Sequence, residues 1–294
     1  MHGQRGTLNM IVGADHISTN AVMITTLIEM AAGQNLLTKE KIPQRRAWLL
    51  SASQDQSELD RQVAVACSRL EISTGDLDGR LLAQSVAADR PRIAALNVSG
   101  HPVVNEATAQ WLERGIAEKS IDVLALASLM DFHDLDHGED FHMGAVGRVL
   151  RSVALRSDCA VVLGNHLTKK GEVSGAPALL YAMRTTSIIV PMKAVEADKL
   201  YVPARDCGRY LRAETKIGPV AFDDVWYRLD GDCDFVAVPW HPEKARRTVA
   251  PIAIVKTAAR SSRSPAAGLP KIAKTSPTSP ARATPDARKN RLNA

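Results

Sequence analysis

At 294 residues, with 45% hydrophobic and 23% charged side chains, the chain has the composition of a globular protein, which excludes a wholly disordered, collagen-like or small disulfide-stapled chain. At this length one core buries enough apolar surface to need neither metal nor disulfide, and with 4% aromatics that core must be built from Ala, Val, Ile and Leu. Charge is unevenly divided: 245–294 holds eleven Lys/Arg against one acid (Asp286), net +10, whereas 1–244 holds 26 basic and 31 acidic residues, net −5.

The predicted elements alternate. Thr7–Gly13 reads as a short buried strand, and Ala21–Ala32 as a helix of small and aliphatic residues that Gly33 terminates. Ala47–Leu50 is a second strand, and Asp55–Leu70 a helix with Leu59, Val63, Ala66 and Leu70 on one stripe. After a short strand at Arg80–Ala83 comes a helix over Asn105–Lys119, then a strongly apolar strand over Ile121–Leu129. A helix over Phe141–Arg156, with Val146, Val149, Leu150 and Val153 inward, leads into the strand Cys159–Gly164. Ser187–Met192, Leu211–Thr215, Trp226–Leu229 and Phe235–Val238 are strands joined by turns, with Asp232-Cys233-Asp234 as a hairpin turn. Trp48, Trp226 and Trp240 read as packing residues. This order predicts an α/β fold: a largely parallel sheet flanked by helices, with an antiparallel C-terminal strand extension. Beyond about Arg246, prolines interleaved with Ala, Ser, Thr and basic residues predict a disordered basic tail.

Cys67, Cys159, Cys207 and Cys233 are widely spaced, without a CxxC pair. No basic and apolar leader opens the sequence, and no apolar run reaches the roughly 18 residues that span a bilayer. The expectation is a cytoplasmic protein with reduced thiols and no membrane insertion.

Parallel α/β sheets place ligands beyond the carboxyl ends of their strands, so the loops after Gly13, Leu50, Leu129 and Gly164 should carry the chemistry. The first, Gly13-Ala14-Asp15-His16-Ile17-Ser18-Thr19-Asn20, has the spacing of a GxxxxGK[ST] phosphate loop. In such a loop backbone N–H groups wrap phosphates, a Lys reaches the terminal ones and a hydroxyl meets Mg²⁺. Here Ser18, Thr19 and Asn20 replace the second Gly, the Lys and the Ser/Thr.

Read together with the later loops, residues 5–240 resemble the RepA-like family of RecA-fold P-loop ATPases, which includes plasmid-encoded hexameric replicative helicases. The resemblance is carried by RGTLNMIVGADHISTNAVMITTLIEMAAGQNLL (phosphate-loop strand and helix) and AWLLSASQDQSELDRQVAVAC (second strand and helix). It extends to IDVLALASLMDFH (the strand bearing the Mg²⁺-linked Asp) and to the stretch from FHMGAVGRVLRSVALRSDCAVVLGNHLTKK through IIVPM. YLRAETKIGPVAFDDVWYRL and FVAVPW complete it as the closing strands, about residues 209–240. The resemblance implies one RecA-like domain over 1–244, a tail over 245–294, ATP with Mg²⁺ as the family's cofactors, and assembly into a homo-oligomeric ring or with an active paralogue.

The departures fall at the positions that perform hydrolysis. The family's Lys is Thr19, its acidic residue after the second strand is Ser53 (with Gln54 and Asp55 beside it), and its Asp at the end of the third strand is Ala127. Asn165-His166 keeps one polar sensor-like tip of the family's His-His, and the Arg of the next loop is Ser174, with Arg184 further on. Phosphoryl transfer depends on positioning and charge neutralisation, so these losses together imply a pseudo-ATPase: a DNA-associated scaffold or accessory subunit. Two readings stand beside it. One is an active ATPase or helicase with non-standard phosphate-loop chemistry, in which Lys169 or Lys170 supplies the missing cation.

The other is a metal-dependent hydrolase built on His133, His137 and His142. These lie in a run of three imidazoles and five carboxylates, Asp131 to His142, whose N/O donors suit zinc or manganese; the same run also reads as a solvated acidic loop. Asp15 and His16 could form an acid/base pair, or be loop residues without a role. In the tail, Arg246, Arg247, Lys256, Arg260, Arg263, Lys271 and Lys274 are the candidates for neutralising DNA phosphates without base readout.

Overall fold

The computed structural model describes residues 4–14, 16–77, 79–217, 224–230 and 236–242. The expected hairpin turn around Cys233 and the whole basic tail lie outside them, and no helix among the described residues is long and apolar enough to cross a membrane.

In chain order the elements are β1 (Leu8–Gly13), α1 (His16–Ala32), β2 (Ala47–Ser51), α2 (Gln56–Arg69), α3 (Thr74–Leu77), β3 (Leu81–Ser85), β4 (Ala94–Leu96), β5 (Pro102–Val104) and α4 (Glu106–Lys119). Then follow β6 (Val123–Leu126), β7 (His133–Asp134), α5 (Asp140–Arg156), β8 (Ala160–His166), α6 (Pro177–Ala182), β9 (Thr185–Pro191), α7 (Ala194–Lys199), β10 (Tyr210–Ile217), β11 (Val225–Leu229) and β12 (Ala237–Trp240). The main sheet has the order β12-β11-β10-β9-β1-β8-β6-β2-β3. From β9 to β3 every pairing is parallel, and β10, β11 and β12 are added antiparallel.

Side-chain alternation explains why the parallel strands read as continuous apolar runs: both faces are covered. Met10, Val12, Trp48, Leu50, Leu124, Leu126, Val161 and Leu163 face one way and pack with Leu112 and Ile116 of α4 and Val146, Leu150 and Val153 of α5. Ile11, Leu49, Val123, Ala125 and Val162 face the other way, against Val22, Ile24, Leu27 and Ile28 of α1 and Leu59 and Ala66 of α2. The helix ends follow their sequence signals. Asp55 caps α2 by accepting the Glu58 N–H at 2.8 Å, Asn105 caps α4 by accepting that of Thr108, and Gly33 leaves α1 at φ +67°.

Trp48 is buried, its indole N–H donating to Gln84 Oε1 at 3.1 Å. Trp226 and Trp240 sit edge to face on the antiparallel extension, where Arg212 stacks over Trp226 and pairs with Glu196 and Glu214. Tight turns and short pairings hid other elements from the sequence reading. β4 and β5 are a hairpin closed by Asn97, whose Oδ1 accepts from Ser99 and His101, and β7 adds to β4 in a second, three-stranded sheet. The apolar run expected to continue as a strand to Leu129 stops at Leu126, because the chain turns into a 3₁₀ segment, Leu129–Phe132, whose Leu129 and Phe132 are buried.

Candidate functional site

The sheet order sets the site. From β1 the chain passes over β8 and β6 to reach β2, and it later crosses from β8 over β1 to β9, so the connections diverge at β1. The crevice of such a switch point opens at the carboxyl ends of the strands, where Gly13, Ser51, Ala127 and His166 lie.

The first loop departs from the expected phosphate loop. Helix α1 starts at His16, not at Ala21, so Ile17, Ser18, Thr19 and Asn20 are helical. A wrapped phosphate loop needs several non-helical residues whose N–H groups converge; here positions 16–20 already belong to the helix. Asp15 and the side chains of 16–18 lie outside the described residues, which leaves the Asp15/His16 pair as an expectation. Thr19, at the family's Lys position, is 2% exposed, and its Oγ1 donates to the Asn165 carbonyl at 3.4 Å. It fastens α1 to β8.

The position where the resemblance places a Mg²⁺-linked Asp is equally closed. Ala127 is 5% exposed, its N–H donates to the Leu50 carbonyl, and its own carbonyl leans over Gly164. A Cβ on Gly164 would stand 2.0 Å from that oxygen. Ser53 is exposed, and the neighbouring Asp55 is committed as the α2 cap, where N–H and hydroxyl donors from Glu58 and Ser57 hold its carboxyl below the usual range. Thr19, Ser53 and Ala127, at the three positions where the resemblance expects Lys, an acid and Asp, are all neutral, and Thr19 and Ala127 are buried, which does not fit the charge that MgATP would need there.

Asn165 also differs from the expected polar tip. It is 4% exposed, its Nδ2 donates to the Ser174 carbonyl at 2.7 Å, and its Oδ1 accepts the His166 N–H. It pins the loop after β8, in which Leu167 bridges Val173 and buried Ser174 donates its N–H to the His166 carbonyl. Lys169 and Lys170 stand exposed at the tip of that hairpin. Arg184 cannot stand in for the missing arginine. Its N–H donates to the carbonyl of Leu8, at the opening of β1, and five strand steps of about 3.3 Å put Gly13 roughly 16 Å away.

The histidine trio of the metal-dependent alternative is not assembled among the described residues, and His142 Nδ1 accepts the Asp136 N–H at 3.2 Å. His133 and His137 do meet, with ring centres 4.6 Å apart and tilted by 37°. Among the described residues no three His, Cys, Asp or Glu are arranged to hold a metal ion. The sequence reading missed His166 as a neighbour; its charge acts on His137 from the end of β8, and no spacing rule joins positions so far apart. His133 is 4% exposed, its Nδ1 accepting the Leu135 N–H while Nε2 has no partner among the described residues. Burial, then the neighbouring His137, pushes its pKa down to about 4, and burial lowers that of His137.

The sign of the pH effect follows. Above pH 6.5 His133 is neutral in both states, whereas between 6.5 and 4 the unfolded chain takes up a proton that the fold refuses. Stability present above pH 6.5 is lost as pH falls through this window, by about 2–3 kcal/mol for His133. Urea unfolding at pH 7.0 and 4.5 should show that loss, and His133→Asn, which keeps an acceptor for Leu135, should flatten it; an unchanged slope contradicts the burial.

No family model matches the chain, and no curated protein matches it in sequence. Among solved structures it is similar to the RadB recombinase, with a TM-score of 0.51 at 8% identity over 80% of this chain and 91% of that one. At such identity the likeness speaks for architecture alone, and what it establishes is that this chain has a RecA-like α/β fold.

Proposed function

We propose that this protein is a RepA-like, DNA-associated member of the RecA-fold proteins that does not hydrolyse ATP and acts as a scaffold or accessory subunit, assembled with copies of itself or with an active paralogue. One observation carries the reading: Thr19 and Ala127, at the positions of the phosphate-neutralising cation and the Mg²⁺-linked carboxylate, are neutral and buried in the packing of α1 and β6 on β8. Without those charges the developing phosphate charge has no preorganised partner, and each such loss costs orders of magnitude in rate. The order of the motifs along 5–240 and the RecA-like architecture support the family half of the proposal, as does the recombinase whose structure is similar. Thermal melts of the full chain with ATP and Mg²⁺ test it. The expected midpoint is the same with Mg²⁺ as with EDTA, and a saturable Mg²⁺-dependent rise overturns the reading.

A second reading has one observation in its favour. Lys169 and Lys170 stand exposed on the hairpin that follows the carboxyl end of β8, where either could approach a bound triphosphate. If that were the working cation, phosphate release would exist and would vanish in the Lys169→Ala, Lys170→Ala double variant.

The partner is assigned to the tail. Its net +10 over 245–294 against −5 for the remainder concentrates the means of neutralising phosphates in one segment. Deleting 245–294 should weaken DNA binding about tenfold at moderate salt and flatten the dependence of log K on log salt. Equal affinity and slope in a fluorescence-anisotropy titration would remove the tail from the interface.

A further inference from the structure

A cavity of about 280 Å³ lies between α1 and the sheet, away from the carboxyl-end crevice. Its floor is made by Ile11, Ser187 and Ala213 on adjacent strands. Small side chains at Ser187 and Ala213 leave room that larger ones would fill, and Val22 and Met30 of α1 and Tyr227 of β11 also line it. At the rim stands Glu29, with Asn35 beside it. A cavity of roughly 150 Å³ accommodates one benzene ring, so this one has room for a bicyclic molecule.

Among the polar groups, Glu29 is engaged through one oxygen only. Asn35 Oδ1 accepts the N–H groups of Leu37 and Thr38, and Tyr227 bonds Thr26, whose Oγ1 donates to the Val22 carbonyl. Glu29 accepts the Leu36 N–H at 3.0 Å through Oε1, and no donor among the described residues reaches its other oxygen. Burial raises the Glu29 pKa, and no cationic side chain of the described residues pairs with it. An apolar chamber with one under-satisfied carboxylate at its mouth selects an apolar body carrying a cationic donor.

We propose that this cavity is a binding site for an aromatic amine, its ring seated on Ile11, Ser187 and Ala213 and its ammonium group donating to Glu29. The site uses no residue of the carboxyl-end crevice and stands or falls independently of whether ATP is bound there.

Calorimetric titration of the full chain with tryptamine, phenethylamine, indole and indole-3-propionate tests it at pH 7.5. Both amines should bind saturably with Kd at or below about 1 mM, and indole-3-propionate at least about tenfold more weakly than tryptamine, the cation and anion differing by over about 1.4 kcal/mol. Glu29→Gln keeps an acceptor for Leu36 and should cost tryptamine about tenfold while leaving indole unchanged. Ala213→Leu should abolish binding of all four with the far-ultraviolet spectrum intact. If neither amine saturates, if the propionate binds as tightly as tryptamine, or if Glu29→Gln leaves tryptamine affinity unaltered, the assignment is wrong.

Discussion

Gly164→Ala is expected to remove about 4 kcal/mol of folding stability, among the largest effects one methyl group can have. The cause is a local steric overlap with backbone. The Cβ would stand 2.0 Å from the Ala127 oxygen and 2.8 Å from its carbonyl carbon, atoms that cannot rotate aside as a side chain would. Ala127 is held in turn by its N–H bond to Leu50, so relief requires β6 and β8 to part in the middle of the sheet. Two controls isolate the reason. Ala127→Gly removes the neighbouring methyl and leaves the carbonyl, so it should not rescue the variant. Gly144→Ala on α5 meets only the flexible Arg148 guanidinium at 3.3 Å and the Ala178 methyl at 3.6 Å, and should be neutral or gain up to about 1 kcal/mol from helix propensity. Urea denaturation of the three variants checks this; a Gly164→Ala protein as stable as the parent would mean the strands do not approach as described.

Thr19→Lys, which restores the lysine that the resemblance places in the phosphate loop, should destabilise the protein by about 3–4 kcal/mol without restoring hydrolysis. Thr19 is 2% exposed and donates to the Asn165 carbonyl. A lysine there loses that bond and lodges its stem between α1 and β8, with its ammonium group in apolar surroundings. The midpoint should fall by roughly 10 °C. Adding Ala127→Asp should deepen the loss, because a carboxylate would enter beside Gly164 where Met23 also packs. A doubly substituted chain that melts like the parent and releases phosphate would show that the crevice retains the room it is argued to have lost.

The fold was legible where one physical signal sufficed. Continuous apolar runs such as Leu8–Gly13 and Val123–Leu126 marked strands buried on both faces, and Asp55 and Asn105 marked helix starts. Elements made by tertiary context were not legible. β4, β5 and β7 have two or three residues each and exist because Asn97 folds a hairpin and His133 pairs with Ala94. In the site, residue identity was readable and burial was not. Thr19 and Ala127 were recognisable as substitutions, but their enclosure depends on Asn165 and Gly164, which lie distant in sequence. The early start of α1 was hidden because Gly13–Asn20 has loop-like spacing yet helix-competent residues from His16 onward. His142 was grouped with His133 and His137 by proximity in sequence; the chain turns, and His166 takes the place beside His137 instead.

The most direct test is steady-state phosphate release by the full chain with MgATP, in the absence and presence of single- and double-stranded DNA. Release should stay at the level of buffer alone under every condition, unchanged by Lys169→Ala with Lys170→Ala. Release that saturates with ATP, is stimulated by DNA and disappears in a variant of this chain would contradict it.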